Sequence, residues 1–538
     1  MKHWDDSWPE MRLESHFGDR VVRCFAERPT SLHSMLEDSA RRTPQGEALV
    51  CGEQRMTWQE LREQSARLAA GMAQRGVKAG ERVAMLIGNR IEFVTTLFAI
   101  AHLGAISVPL SVREQTPGLA FMLNQCGAAM LVHESELGDR LPSAGDLPAL
   151  RVRVSVAGAC AGSERYEALA LAPATLPVAE VGQEDVASIM YTSGTTGSPK
   201  GAALTHLGMA HSVMHYRVAM GLGAQDCSIA AVPLSHVTGL VALVATMAHS
   251  GAKLCIMPAF KAEEFLLLAE RERMTHTLMV PAMYNLCLLR ADFGALDLSS
   301  WRVGAYGGAP MPVASIERMA QALPDLALMN CYGSTESTSP ATLMPQGQSD
   351  AHSDTVGRCL ACAEIAVFDD DGREVATGSL GEIWIKGPMV VKDYWNNPEA
   401  TALNFTGGYW HSGDLGSIDA DGYVKVVDRK KDMINRGGFK IYTIEVENAL
   451  YAHAGVLECA VVARPCPVLG ERVHAFVTAR EPGLQAAALK AHCATLLSDY
   501  KVPEAFSISL QPLPHNANGK LVKRALRDQA RAMPPIQR

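Results

Sequence analysis

The stretch "YTSGTTGSPKGAAL", Tyr191 to Leu204, packs glycine, serine and threonine around a single lysine, Lys200. Glycine lets a backbone approach an oxyanion closely, hydroxyl and N–H groups donate to it, and lysine adds positive charge, so a phosphate-binding loop is one interpretation. A flexible surface loop is the other. The P-loop of nucleoside triphosphatases is excluded, because it requires GxxxxGK followed by Ser or Thr, whereas Gly194, Gly197 and Lys200 fall as GxxGxxK.

Length and charge narrow the class of protein. The chain has 538 residues, enough for two or more domains, and its 49 basic and 57 acidic residues give a net charge of -8 without a basic stripe. Nucleic acid is therefore an unexpected partner. The apolar stretch Phe93–Val112 contains His102, Gly104 and Pro109, which favours a buried helix and strand over a membrane span. The cysteines and the charged N-terminus, which lacks an apolar signal segment, predict a cytoplasmic protein.

Alternating strand and helix patterns predict an α/β fold. Thr57 and Glu60 form a capping-box pattern ahead of a helix with Leu61, Leu68 and Met72 on one face. Short apolar runs separated by helical stretches then continue to about residue 360, as expected for large stacked α/β sheets.

The texture changes twice after that point. Alternating strands joined by Asp-Gly turns, as in "EIAVFDDDGREV", predict a small β-barrel-like subdomain at about 360–428. Beyond it the pattern predicts a small α+β domain joined by a hinge. We therefore expect an N-terminal domain over 1–428 and a mobile C-terminal domain over 429–538.

Five further motifs follow the opening loop in order: "YGGAP" at Tyr306, "YGSTE" at Tyr332, "HSGDLG" at His411, "DRKKDMINRGG" at Asp428 and "NGK" at Asn518. With the loop, they resemble the signatures of the adenylate-forming superfamily, which comprises acyl-CoA synthetases, adenylation domains and beetle luciferases. The resemblance spans roughly residues 30 to 525. A stand-alone acyl-CoA synthetase, acting with ATP, Mg²⁺ and coenzyme A, is the member that it most resembles.

The resemblance implies roles for residues around ATP. The loop would clamp the β- and γ-phosphates through Thr192, Ser193, Gly194, Thr195, Thr196, Gly197 and Lys200, with Thr192 and Lys200 also counted as catalytic. The backbone of Gly307, Gly308, Ala309 and Pro310 would run along the purine. Tyr332 would stack on adenine beside Gly333, Thr335 would lie near the α-phosphate, and Glu336 would hold Mg²⁺ through a hard oxygen ligand. In isolation, "YGSTE" is more typical of an ordinary turn.

Two more residues are implied to contact the ribose. Asp414 can accept hydrogen bonds from two hydroxyl groups, although an Asp in a glycine-rich turn is commonly only a turn former. Arg429 would make a second ribose or phosphate contact. This chain departs from the family pattern nearby, since Asp428 stands where Gly is usual and Thr443 stands where Pro is usual.

The resemblance also implies roles for residues of the C-terminal domain. Lys431 would be the hinge, and Gly437 and Gly438 would pass the pantetheine arm of coenzyme A. Lys520 would bridge the substrate carboxylate and the α-phosphate, neutralising two anions that must meet. The "PHN" before it departs from the usual Pro-Arg-Thr and removes one phosphate contact.

The acid-binding residues implied by the resemblance are mostly small or apolar: His236, Gly239, Val280, Ala305, Tyr306 and Gly333. A histidine among apolar residues is more often a core residue, but at His236 the family places a wall of the acyl pocket. Amino-acid-activating relatives carry an Asp near this point, and Leu234–Gly239 contains none. A plain carboxylic acid is expected, with a medium chain, an aromatic ring or an alicyclic ring.

The implied reaction has two steps, in which a carboxylate displaces pyrophosphate from ATP and a thiol then displaces AMP. Coenzyme A is the expected thiol, because no carrier-protein domain follows Lys520. The alternatives are a ligase that loads a separate carrier protein and an inactive relative that binds nucleotide or acyl ligands. A homodimer is compatible with these observations, which fix no oligomeric state.

Overall fold

The computed structural model describes residues 8–192, 199–515 and 521–533. Contacts within the chain divide it into two compact units. The first comprises Met1–Gly308, Arg318–Ile365 and Ile385–His411, and the second comprises Ala309–Glu317, Ala366–Trp384 and Ser412–Arg538. Six residues with predicted roles lie outside the described residues: Ser193, Gly194, Thr195, Thr196, Gly197 and Lys520.

The helices are α1 Leu32–Arg42, α2 Trp58–Gln74, α3 Ile91–His102, α4 Thr116–Cys126, α5 His206–Met220, α6 Thr246–Ser250, α7 Ala262–Arg271, α8 Pro281–Arg290, α9 Val313–Ala322, α10 Pro398–Asn404, α11 Thr443–Tyr451, α12 Ala486–Leu496 and α13 Lys523–Ala532. A π-helix, Thr238–Ala245, runs directly into α6.

The strands are β1 Met11–His16, β2 Arg20–Phe25, β3 Glu47–Cys51, β4 Gln54–Thr57, β5 Arg82–Leu86, β6 Ile106–Pro109, β7 Ala128–Glu134, β8 Val152–Val156, β9 Glu164–Arg165, β10 Val186–Thr192, β11 Lys200–Thr205, β12 Cys227–Ala230, β13 Lys253–Ile256, β14 His276–Met279, β15 Val303–Gly307, β16 Ala327–Tyr332, β17 Thr342–Leu343, β18 Arg358–Cys359, β19 Glu364–Phe368, β20 Gly381–Lys386, β21 Phe405–Thr406, β22 Tyr409–Ile418, β23 Val424–Arg429, β24 Ile434–Arg436, β25 Phe439–Ile441, β26 Val456–Cys466, β27 Gly470–Ala479 and β28 Ala505–Ser509.

Two large, mostly parallel sheets carry the N-terminal part. One has the strand order β11-β10-β6-β5-β7-β8-β9, and the other has the order β18-β17-β16-β15-β14-β12-β13-β3-β4. In the second sheet β14, β15 and β16 are parallel neighbours, so their carboxyl ends lie at one edge. Ligands in open α/β sheets bind outside that edge.

A smaller sheet, β19-β20-β22-β21 with β23 on β22, matches the β-rich subdomain that the alternating strands predict. The C-terminal sheet, β25-β24-β27-β26 with β28 on β27, packs against helices on both faces of β26. Cys459 and Val461 belong to the core with α11 and α12, whereas Ala460 and Val462 pack with Leu526 of α13. The predicted fold class, α/β followed by a small α+β domain, is confirmed.

Local predictions are confirmed in detail at α2 and α3. Thr57 caps α2 and forms the reciprocal capping box with Glu60, and the inner face of the helix is fully buried. Every residue of α3 except Glu92 is buried, as expected for a core helix rather than a membrane span. Within the described ranges, no helix has both the length and the apolar character needed to cross a membrane.

Candidate active site

The opening motif lies across a β-hairpin whose two ends are described. Thr192 ends β10, Lys200 begins β11, and the two residues are direct partners in the antiparallel register. Residues 193–198 between them lie outside the described ranges. The hairpin therefore brings Thr192 and Lys200 together at the base of the motif.

A second group of predicted residues meets at the carboxyl edge of the other large sheet. Val280 follows β14, Gly307 ends β15 and Tyr332 ends β16, and these strands are adjacent. A Cβ atom on Gly307 would lie 2.4 Å from the carbonyl oxygen of Cys331, so only glycine fits there. Gly308 continues with a φ of 78°, and Ala309 and Pro310 follow along the chain.

Glu336 is the chemical centre of this first unit. Its carboxylate is buried, and it accepts hydrogen bonds at Oε1 from the hydroxyls of Tyr394 (2.9 Å) and Thr192 (3.3 Å) and at Oε2 from Ser334 (2.9 Å). No lysine or arginine in the described part of the chain forms an ion pair with it. A buried anion held only by neutral hydroxyls lacks compensating charge, which fits a ligand of Mg²⁺.

Lys200 is buried and contacts the tyrosine that donates to this carboxylate. Its Nζ lies 5.0 Å from the ring centroid of Tyr394, a cation–π distance. Burial, together with the Glu336 carboxylate, raises the pKa of Tyr394, so its hydroxyl keeps its proton and donates.

The sequence motifs identify neither Tyr394 nor Ser334 as a functional residue. Ser334 lies inside "YGSTE", so its hydroxyl could have been predicted to take part in the site. The sequence "DYW" around Tyr394 gives no indication of a functional role.

In the second unit, Asp414 and Arg429 are brought together on β22 and β23. They are direct cross-strand partners, and Arg429 Nε lies 3.2 Å from Asp414 Oδ1. Asp414 is buried, whereas the Arg429 side chain is 43 % exposed. The pair is compatible with the predicted ribose contacts, which stay a prediction. It is equally an ordinary cross-strand ion pair.

The glycine pair after the hinge has a local structural reason. Gly437 and Gly438 form the two-residue turn between β24 and β25, with φ of 59° and 95°. Positive φ at both central positions is the requirement of a tight hairpin turn, which glycine meets without strain. The turn alone therefore explains why both residues are glycine. The predicted role in passing the pantetheine arm would be an additional one. Lys431 precedes this hairpin, and its carbonyl accepts from Arg527 (3.1 Å).

The two departures from the family pattern contact each other. Asp428 is almost fully buried, and its carboxylate accepts hydrogen bonds from both the N–H and the hydroxyl of Thr443. A proline at 443 has neither donor. Lys523 donates to the Thr443 hydroxyl (2.7 Å) and pairs with Glu447 (2.7 Å). The carboxylate that is unusual at 428 is thus matched by the residue that is unusual at 443.

We expect Thr443→Pro to destabilise the C-terminal part of the chain by about 2 kcal/mol, because two donors are removed from a buried carboxylate. Proline itself suits this first position of α11, so its own cost is small. In urea unfolding, Asp428→Gly combined with Thr443→Pro should cost less than the sum of the single changes, by about 1 kcal/mol or more. Simple additivity would show that the two residues are not coupled.

Lys520 lies outside the described residues, but the described residues on either side of it form hydrogen bonds. His515 and Leu521 form an antiparallel bridge, and Val522 donates to the carbonyl of Pro514 (2.8 Å). His515 Nε2 lies 2.6 Å from an oxygen of Glu458, and this carboxylate raises the pKa of His515. The histidine that replaces the usual arginine is therefore paired within the C-terminal sheet.

The predicted acid-binding residues lie around the start of the π-helix and the ends of β14 to β16. His236 is half-buried and its Nδ1 lies 3.2 Å from the hydroxyl of Thr238, the first residue of that helix. A Cβ atom on Gly239 would clash with the carbonyl of Pro233 at 2.3 Å. Ala305 and Tyr306 are fully buried, whereas Val280 and Gly333 are partly exposed at the sheet edge. π-Helical turns are frequent at functional sites.

Comparison with known proteins adds independent findings. The sequence profile of the AMP-binding enzyme family matches residues 36–395, and that of its C-terminal domain matches residues 445–520. Feruloyl-CoA synthase of an Amycolatopsis species is 35 % identical over 91 % of this chain and 96 % of its own. The long-chain-fatty-acid–CoA ligase FadD13 of Mycobacterium tuberculosis is 33 % identical over 93 % of this chain and 99 % of its own.

A solved structure is similar over the same extent. The o-succinylbenzoate coenzyme A synthetase of Bacillus subtilis, in complex with ATP and magnesium ion, aligns with a TM-score of 0.80 at 28 % identity. The alignment covers 94 % of this chain and 99 % of that one.

Proposed function

Because the chain belongs to the AMP-binding enzyme family and is an ATP-dependent carboxylic acid–CoA ligase, we propose that Glu336, Lys200 and Thr192 form its Mg·ATP site. The observation that carries this assignment is the buried Glu336 carboxylate, which is held by three hydroxyls and by no described cation. The enzyme uses ATP, Mg²⁺ and coenzyme A. Mg²⁺ held by Glu336 would offset charge on the departing pyrophosphate.

Different residues act in the two steps of the reaction. In the first, a carboxylate oxygen of the acid attacks the α-phosphorus of ATP, and the bond to pyrophosphate breaks. Lys200 and the hairpin motif stabilise the leaving group, Asp414 and Arg429 hold the ribose, and Lys520 neutralises the meeting anions. In the second, the coenzyme A thiolate attacks the acyl carbonyl and AMP leaves. We assign the change between steps to rotation about Lys431, with 1–428 and 429–538 as the two domains.

For the acid, we propose a molecule with an uncharged tail: aromatic, alicyclic or of medium chain length. None of the side chains assigned to the pocket is a carboxylate or a permanent cation, so a charged tail would lose solvation without gaining a partner. Among the similar proteins, feruloyl-CoA synthase is named for an aromatic acyl group. This favours an aromatic acid as the first compound to test.

A pyrophosphate-release screen with and without coenzyme A tests the acid class. It would compare benzoate and cinnamate with cyclohexanecarboxylate, octanoate, acetate and glycine, with acyl-CoA measured by mass spectrometry. We expect turnover with members of the first four and little with acetate or glycine. Preference for acetate or an amino acid would overturn the proposed pocket. Acyl transfer only to a phosphopantetheinyl carrier protein would favour the alternative ligase.

The enzyme's compartment and assembly are further proposals. All thirteen cysteines are free thiols in the structure, including the Cys-x-x-Cys pair Cys359 and Cys362, which is buried. Unpaired cysteines in this number support a reducing cytoplasm. A homodimer stays a prediction, which the molar mass measured by light scattering would decide.

A further inference from the structure

We propose that Tyr394 is a positioning residue that holds the Glu336 carboxylate and the Lys200 ammonium apart and correctly oriented before Mg·ATP binds. The inference rests on the proposed Mg·ATP site and names a residue outside every motif of the opening resemblance. Tyr394 does not need to touch the reacting atoms, because it acts through the two residues that it contacts.

The tyrosine contacts both charged groups with different parts of its side chain. Its hydroxyl donates to Glu336 Oε1 at 2.9 Å, and its ring centroid lies 5.0 Å from Lys200 Nζ. The side chain is 4 % exposed, and its ring packs edge-on against Phe405 at 5.7 Å between centroids. Packing thus helps to hold the side chain that contacts the two charged groups.

The backbone around Tyr394 is tied to the strand that begins with Lys200. The N–H of Trp395 donates to the carbonyl of Gly201 (2.7 Å), and the N–H of Ala203 donates to the carbonyl of Asp393 (3.2 Å). The carbonyl of Glu336 accepts from the N–H of Val391 (2.9 Å). Residues 391–395 thus connect the hairpin motif to "YGSTE", although both are distant in sequence.

The chemistry explains why an aromatic hydroxyl suits this position. A hydroxyl donor orients a carboxylate without neutralising it, so Glu336 keeps its charge for a divalent cation. A ring face attracts an ammonium group without a counter-charge, so Lys200 keeps its charge for phosphate. Neither group has an ion-pair partner among the residues that the structure describes. Without the tyrosine that contacts each of them, the two opposite charges could pair and would have to separate again for Mg·ATP.

The test is calorimetric binding of ATP, without acid, across a range of Mg²⁺ concentrations. Tyr394→Phe keeps the ring and removes the hydroxyl, and we expect it to weaken ATP binding about tenfold in saturating Mg²⁺ and hardly at all without Mg²⁺. Tyr394→Leu also removes the ring, and it should weaken binding under both conditions. The control is Tyr166→Phe, which removes another buried hydroxyl, bonded to Thr95 and Thr96.

Each result has a defined meaning. Equal behaviour of Tyr394→Phe and Tyr166→Phe would overturn the inference, as would a loss that is the same with and without Mg²⁺. Glu336→Gln separates the two proposals, because it should abolish the Mg²⁺-dependent part of ATP binding. If it does not, the assignment of Glu336 fails; if it does and Tyr394→Phe has no effect, only the role of Tyr394 fails. Thermal melting of nucleotide-free variants checks that each is folded.

Discussion

Replacing Lys520 with alanine is expected to reduce acyl-adenylate formation by a factor of about 10² to 10³, while thioester formation from supplied acyl-adenylate falls only slightly. The reason is that the lysine neutralises two anions that must meet in the first step. This lowering of the activation barrier requires a positive charge in the right position. In the second step the phosphate is a leaving group and the carboxylate charge is gone. Pyrophosphate release reports the first step, and acyl-CoA formation from synthetic adenylate reports the second.

The matched control for Lys520 is Lys490→Ala, which removes an exposed lysine from α12 in the same part of the chain. It should leave both steps unchanged. Equal loss of the two steps in Lys520→Ala would contradict the view that the C-terminal domain presents different residues in each step. The hydrogen-bonded flanks at His515 and Leu521 make global unfolding of that variant an unexpected outcome.

Glu336→Gln is expected to lower adenylate formation by at least about 100-fold and to remove its dependence on Mg²⁺ concentration. Glutamine preserves the size of the side chain and one oxygen that can still accept from Tyr394, while its NH2 group faces the Ser334 hydroxyl, which can accept from it, so the main change is the loss of negative charge. The measurement is the initial rate of pyrophosphate release as a function of Mg²⁺ at saturating acid.

An exposed glutamate serves as the comparison for this change. Glu264→Gln alters a surface carboxylate paired with Lys261 and should leave the Mg²⁺ dependence as it is. A Glu336→Gln enzyme that retains the Mg²⁺ dependence of the original would show that another group holds the ion. The hydroxyl cluster would then be a structural arrangement for a buried acid.

Much of this site could be predicted because its parts are local. Thr192 and Lys200 flank one hairpin, and Gly307 and Tyr332 end adjacent parallel strands. Short sequence motifs are therefore enough to predict where these residues lie. The capping box of α2 is likewise a contact over three residues. Period and spacing detect features of this kind.

The contacts that were missed are long-range. Tyr394 reaches Glu336 across 58 residues, and backbone hydrogen bonds of residues 391–395 to Glu336 and to β11 bring them together. The coupling of Asp428 with Thr443 was visible as two separate departures, whereas their contact was not. The buried run that forms the π-helix carries no helical periodicity, because every residue after Thr238 is apolar.

The central claim is that the acid's carboxylate attacks the α-phosphorus of ATP. Turnover with an acid labelled with ¹⁸O in both carboxylate oxygens tests it most directly, with AMP, pyrophosphate and any orthophosphate examined by mass spectrometry. The account predicts one ¹⁸O atom in each AMP and none in pyrophosphate, since thiol attack at the acyl carbon leaves the bridging oxygen on phosphorus. Unlabelled AMP, or ¹⁸O in pyrophosphate or orthophosphate, would contradict it.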